Sequence, residues 1–80
     1  MKDIYNRLIG VIKSLDESIN VVDLSPQDHF IYDLGLESFS LITLIFLCEE
    51  EFDIKLSDKI NDIAQIETVE KLLQVIEDQL

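Results

Sequence analysis

Ile4, Leu8, Val11, Ile12 and Leu15 recur every three or four residues near one end of this chain, and Val69, Leu72, Leu73, Ile76 and Leu80 do the same at the other. At 100° per residue each set lines one side of a helix. In the first stretch Lys2, Asp3, Asn6, Arg7 and Lys13 fall mostly elsewhere on the wheel. A one-sided apolar stripe must be buried against something. In a chain of 80 residues the other helices supply that surface, so the reading is one all-α domain over residues 1–80. A domain of this size buries about 60% of the surface its unfolded chain exposes. It can hold a modest core but no deep, enclosed active site.

Between these ends the pattern changes twice. Residues 16 to 37 lose helical periodicity and read as a long ordered loop, pinned by Val22, Leu24, Phe30 and Leu34. Ser25-Pro26-Gln27-Asp28 carries the signals of one short turn: a capping serine, proline at the first helical position and a following acid. Gly35 marks a backbone angle that other residues resist. A second helix is expected from Ser38 to Phe52, with Leu41, Leu44, Ile45, Cys48 and Phe52 facing the core. Ser57 caps a short third helix through Ile60 and Ile63, and Thr68 caps the last. The expected fold is therefore a four-helix bundle with a long first loop and a short third helix.

The second helix carries a further apolar stripe, Phe39, Ile42 and Phe46, rotated well away from its core side. One helix of a small bundle rarely needs two apolar faces for its own stability. Either the long loop folds back over this stripe, or the stripe is a recognition patch with Glu49 and Glu50 adding charge steering towards a basic partner.

Charge narrows the partners. Six Lys and Arg against 17 Asp and Glu leave a net charge of −11. That balance repels phosphate backbones and anionic lipid and favours partners with basic patches, so neither nucleic acid nor membrane insertion is expected. Residues 1–20 are too charged for the apolar core of a signal peptide, and the apolar run from Leu41 to Cys48 is far short of a membrane span. The expectation is a free-standing, cytoplasmic monomer.

Few residues offer chemistry of their own. Asp53-x-Lys55-x-Ser57 opens like a calcium loop, but it has lysine at the third position, no glycine at the sixth and Ala64 where a bidentate glutamate is required. His29 is the one histidine and lacks a metal-ligand partner, so it reads as structural. Cys48 falls on the apolar side of the second helix as a small buried hydrophobe, with no second cysteine to pair with. No metal site is expected. Ser38 lacks the G-x-S-x-G of a nucleophile elbow, and nothing aims a base at it. On position alone it reads as a helix cap. These features suit a small acidic helical adaptor and disfavour a serine enzyme.

The stretch "DLGLESFSLITLIFLCEEEFDIKL" resembles the acyl carrier protein family around its modified serine, including the Glu-Glu-Glu-Phe-Asp that closes the second helix. The likeness extends to the long first loop, the short third helix and the final helix. It implies a non-catalytic carrier whose Ser38 bears 4'-phosphopantetheine, installed from coenzyme A by a phosphopantetheinyl transferase. The arm's thiol then carries an acyl group between acyl-loading and acyl-processing enzymes with basic docking patches. It also implies a partner face on the second helix, which on this sequence comprises Glu37, Phe39, Ile42, Phe46, Glu49 and Glu50. Two positions depart from the family pattern: Glu37 stands where aspartate is usual, and Ser40 and Thr43 make the start of the second helix less acidic. These departures point to a specialised partner set. Fatty acyl, polyketide and aminoacyl cargoes share the same serine chemistry.

Overall fold

The computed structural model describes residues 2–20, 22, 24–56 and 66–80. Within them the chain forms three α-helices and no strand: α1 (Lys2–Leu15), α2 (Ser38–Phe52) and α3 (Val69–Gln79). The short helix expected from Ser57 through Ile63 lies outside the described residues.

Each helix follows from its pattern. In α1, Leu8, Val11 and Ile12 are buried and Ile4 and Leu15 pack against the same core. Asp3 in its first turn and Lys13 in its last complement the helix dipole. In α2 the buried residues are Leu41, Leu44, Ile45, Cys48 and Phe52, the five expected from the wheel. In α3 they are Val69, Leu72 and Ile76. Fully burying a side chain of this kind is worth about 1.5–3 kcal/mol each, and α1 packs on both other helices to provide that burial. Arg7 fastens α1 to the end of α2. Its Nε donates to Glu51 Oε2 at 2.9 Å, its Nη2 donates to the Glu51 carbonyl, and its guanidinium lies 4.5 Å from the centre of the Phe52 ring.

The loop from 16 to 37 is ordered by buried anchors and local hydrogen bonds, though not by all the residues expected. Phe30 is fully buried, and Leu24 and Leu34 pack against the core. Val22 does not pin the loop, because it is 88% exposed. Its N–H is taken by Asn20 Oδ1, a side-chain turn that carries the chain outwards at that point. Ile19 and Leu36 are buried in its place. Residues 25–28 form the expected turn: Asp28 N–H donates to the Ser25 carbonyl, and Ser25 N–H donates back to the Asp28 carboxylate. Leu80, expected on the core stripe of the last helix, is 62% exposed, since α3 ends at Gln79 and leaves its final apolar residue beyond the last turn.

The loop is sewn to the start of α3. Phe30 N–H donates to the Glu67 carbonyl, Val69 N–H to the Asp28 carbonyl and Glu70 N–H to the Pro26 carbonyl. His29 and Thr68 form an isolated antiparallel bridge at this seam. Two amides at the start of α3, which have no partner inside the helix, are thus satisfied by the loop. Thr68 supplies the side-chain cap, its Oγ1 accepting Lys71 N–H at 3.2 Å. Thr68→Ala should cost about 1 kcal/mol of unfolding free energy. Urea denaturation should show a lower midpoint with an unchanged slope.

Candidate functional site

The turn after His29 delivers the chain to α2. Asp33 and Leu34 N–H both donate to the His29 carbonyl, and Gly35 N–H to the Ile31 carbonyl. Gly35 then takes φ +76°, in the left-handed region that favours glycine. That reversal lets Leu36 N–H reach the Phe30 carbonyl at 2.9 Å and seats the Leu36 side chain in the core. Glu37 follows in extended conformation (φ −90°, ψ 162°), and its carbonyl accepts Leu41 N–H to begin the helix.

Ser38 is the first residue inside α2, not its cap. Glu37 holds the cap position, without a hydrogen bond from its side chain to the helix. The expectation drawn from position alone is therefore displaced by one residue, because the cap is set by the extended backbone of Glu37. Ser38 is exposed and its first turn contains no acid. Backbone N–H groups and the positive end of the helix dipole thus face outwards beside an accessible hydroxyl. This arrangement favours an anion such as a phosphate ester.

Beyond Ser38 the second apolar stripe is open. Phe39 is 76% exposed, Phe46 54% and Ile42 46%, so the loop does not cover them. The two glutamates at the far end differ. Glu50 is exposed, whereas Glu49 is half-buried and its Oε2 accepts Leu56 N–H at 2.7 Å, which ties down the chain leaving α2. Asp53 closes the helix in left-handed conformation (φ 53°, ψ 52°), its N–H donating to the Glu49 carbonyl. A shallow groove at this end joins Phe46, Glu49 and Glu50 to Asp53, Ile54 and Lys55. Sequence spacing did not reveal those last three residues, because the reversal at Asp53 breaks the helical register. An aspartate, which tolerates that conformation, is the one local sign of it.

The remaining candidates are occupied elsewhere. The described residues contain no group of acids, histidine and cysteine able to hold a metal. His29 is part of the turn: its Nδ1 accepts N–H from Ile31 and Tyr32 at 3.1 and 3.2 Å, and its Nε2 lies 3.8 Å from Glu67 Oε2. Neither ring nitrogen is available to activate Ser38. Cys48 is fully buried, and burial, with a smaller push from Glu51, raises its thiol pKa to about 12.

Comparison with known proteins decides the family. Residues 6–76 match the family described as "Phosphopantetheine attachment site". The chain belongs to the acyl carrier protein family. It is 31% identical over 74 residues to the mitochondrial acyl carrier protein of Neurospora crassa, covering 92% of this chain and 54% of that one. It is 40% identical over 62 residues to the mitochondrial acyl carrier protein of Saccharomyces cerevisiae, covering 74% of this chain and 50% of the relative. With the acyl carrier protein of Solidesulfovibrio magneticus it shares 36% identity over 59 residues, covering 74% of this chain and 73% of the relative. The chain spans about half the length of the two mitochondrial relatives.

Acyl carrier proteins are carriers and not enzymes, and they interact in general with phosphopantetheinyl transferases and acyl-processing enzymes. Membership implies a covalently attached 4'-phosphopantetheine. The N-terminus of α2 fits such a group: an exposed hydroxyl, helix amides without a side-chain cap, and no acid in the first turn to repel its phosphate. No described helix is long and apolar enough to cross a membrane.

A thiol with a pKa near 12 is almost wholly protonated at pH 8 and, being buried, is shielded from reagents. In the folded, unmodified protein Cys48 should therefore fail to react with a chromogenic disulfide at pH 8. One equivalent should react on adding denaturant. Reaction of the native protein at the rate of a free cysteine would contradict the burial argument.

Proposed function

We propose that Ser38 is the attachment residue and that the protein carries acyl intermediates as thioesters on its phosphopantetheine arm, for fatty acid, polyketide or related specialised biosynthesis. The observation that carries this reading is the exposed Ser38 at a helix N-terminus whose first turn holds no acid and whose cap residue, Glu37, makes no side-chain bond to the helix. The arm supplies a thiol, at the end of a long flexible tether, that exchanges acyl groups by thioester chemistry. Everything else falls to the chain's own residues. Ser38 Oγ gives up its proton to a base of the transferase, since among the described residues no free base is aimed at it. It attacks the phosphorus of coenzyme A that bears the pantetheine, forming the Ser38 phosphodiester as the pyrophosphate bond breaks and adenosine 3',5'-bisphosphate leaves. The amides of the first turn of α2 then stabilise the resulting phosphodiester anion. Cys48, protonated and buried, does not compete with the arm for acyl groups.

Phe39, Ile42 and Phe46 form the docking face on this reading, flanked by Glu37 at one end and Glu50 at the other. Glu49 contributes its charge while its carboxylate holds Leu56. The partners are a phosphopantetheinyl transferase and acyl-loading and acyl-processing enzymes with basic patches. The reading also includes a monomer in the cytoplasm and a bundle of four helices, of which α1 to α3 are three.

Incubation with a phosphopantetheinyl transferase and coenzyme A should add a single pantetheinyl group, read by intact mass. Ser38→Ala should fold normally and gain none. Modification that persists in this variant would sink the assignment. Absence of any adduct on the unmutated protein would leave a helical adaptor instead.

The docking face has its own test. Because Phe46 is more than half exposed, Phe46→Glu should leave the circular dichroism and melting curve nearly unchanged. Transfer to or from partner enzymes should fall at least tenfold, the scale of an interfacial aromatic anchor. A variant that unfolds would place Phe46 in the core and remove it from the face.

A further inference from the structure

We propose that His29 is a proton-gated cap that sets the order of the segment leading into Ser38. Its function rests on Ser38 being the attachment residue; its mechanism rests on geometry alone. The imidazole Nδ1 accepts two backbone N–H groups, from Ile31 at 3.1 Å and Tyr32 at 3.2 Å. This is the role an asparagine or serine side chain plays at the start of a helical turn. Asp33 answers from the other side, its Oδ2 accepting His29 N–H at 2.6 Å. The pair forms a reciprocal cap around the turn that ends at Gly35, three residues before Ser38.

A histidine in this role differs from every usual cap, because its acceptor can be lost. A nitrogen accepts a hydrogen bond only while it carries no proton. The cap therefore requires the neutral ring with its hydrogen on Nε2, the nitrogen 3.8 Å from Glu67. When Nδ1 takes up a proton, two backbone donors face a third donor, and the ring must turn away from Ile31 and Tyr32. Among the described residues the imidazolium then has one carboxylate in ion-pair reach of its ring, that of Glu67, which already holds Lys71 Nζ at 2.9 Å. Asp33 faces the backbone of His29 from within the turn, the Asp28 carboxylate is taken up by Ser25 N–H, and the Tyr32 ring stacks 4.3 Å from the imidazole. Protonation thus exchanges a cap on the turn for an ion pair with the residue just before α3. The turn is what aligns Phe30 with Leu36, so its loosening reaches the first residues of α2 through the Phe30 carbonyl to Leu36 N–H bond.

The test is nuclear magnetic resonance on uniformly 15N-labelled full-length protein, wild type and His29→Asn, across the pH range in which the ring titrates. Asparagine caps without a titrating acceptor. At high pH the ring nitrogens of wild type should report the Nε2–H tautomer. As the imidazole protonates, amide protection at Ile31 and Tyr32, corrected for intrinsic exchange, should fall on the order of fivefold, the scale of a lost cap. Leu36 should follow, while in His29→Asn all three amides should hold their protection through the same range. The ratio of transferase modification rates, His29→Asn over wild type, should rise as pH falls through that titration, which cancels the transferase's own pH profile. An Nδ1–H tautomer, protection that ignores the titration, or a flat rate ratio would each overturn the proposal. If the transferase modifies neither protein at any pH, Ser38 fails as attachment residue and the proposed link to it falls too, while the exchange data still decide the cap.

Discussion

Phe30 holds this small protein together at the point where its loop would otherwise be loose. Its side chain is fully buried, its N–H is given to the Glu67 carbonyl and its own carbonyl accepts Leu36 N–H. One residue thereby closes the turn that precedes α2 and joins it to the start of α3. A loop of this length in an 80-residue domain costs conformational entropy that a modest core is poorly placed to offset. The structure avoids much of that penalty by letting the loop satisfy donors that α3 cannot satisfy itself, at Val69 and Glu70. The loop is the cap of the last helix as much as the connection between the first two.

That arrangement frees α2 to be two-sided. Its core face is anchored from below by α1, and its ends are fixed by Leu36 before it and by the Asp53 reversal after it. The opposite face contributes little to stability and can present Phe39, Ile42 and Phe46 to water. Charge is separated along the same helix. From Ser38 to Cys48 there is no ionisable acid or base apart from the buried thiol, and the acids gather from Glu49 to Asp53. On the proposed docking reading, long-range attraction would act at the far end and short-range apolar contact beside the serine. A basic partner would be oriented by the first before it engages the second.

The three described helices and most of their inward faces, Leu80 excepted, were legible in the sequence because period alone determines them. The five core residues of α2 are a matter of angle, and the Thr68 cap is a matter of a hydroxyl at the right place. The loop was less legible. Val22 and Leu36 are both apolar, yet one points into water and the other is buried, a choice made by the Asn20 side-chain turn and the Gly35 reversal rather than by hydrophobicity. Ser38 stood out by family likeness, while its place one residue inside the helix depended on the backbone of Glu37. His29 read as structural, and its double acceptance at Nδ1 could not be seen, since nothing in residue spacing shows which ring nitrogen meets which amide.

Glu37 brings these observations to one physical question: why a helix at the centre of the molecule should begin with a cap residue that makes no cap. A serine, aspartate or asparagine there would bond the amides of the first turn and stabilise the helix by about 1 kcal/mol. The longer glutamate side chain leaves those donors unclaimed. The missing stabilisation is small against the burial of Leu41, Leu44, Ile45, Cys48 and Phe52, which holds α2 in place irrespective of its cap. A carrier can therefore keep its helix start unfilled, provided the core beneath and the turn before it are secure. Here the secure parts are Phe30, Leu36 and the seam to α3, and the open part is the first turn of α2, where the modified serine is proposed to lie.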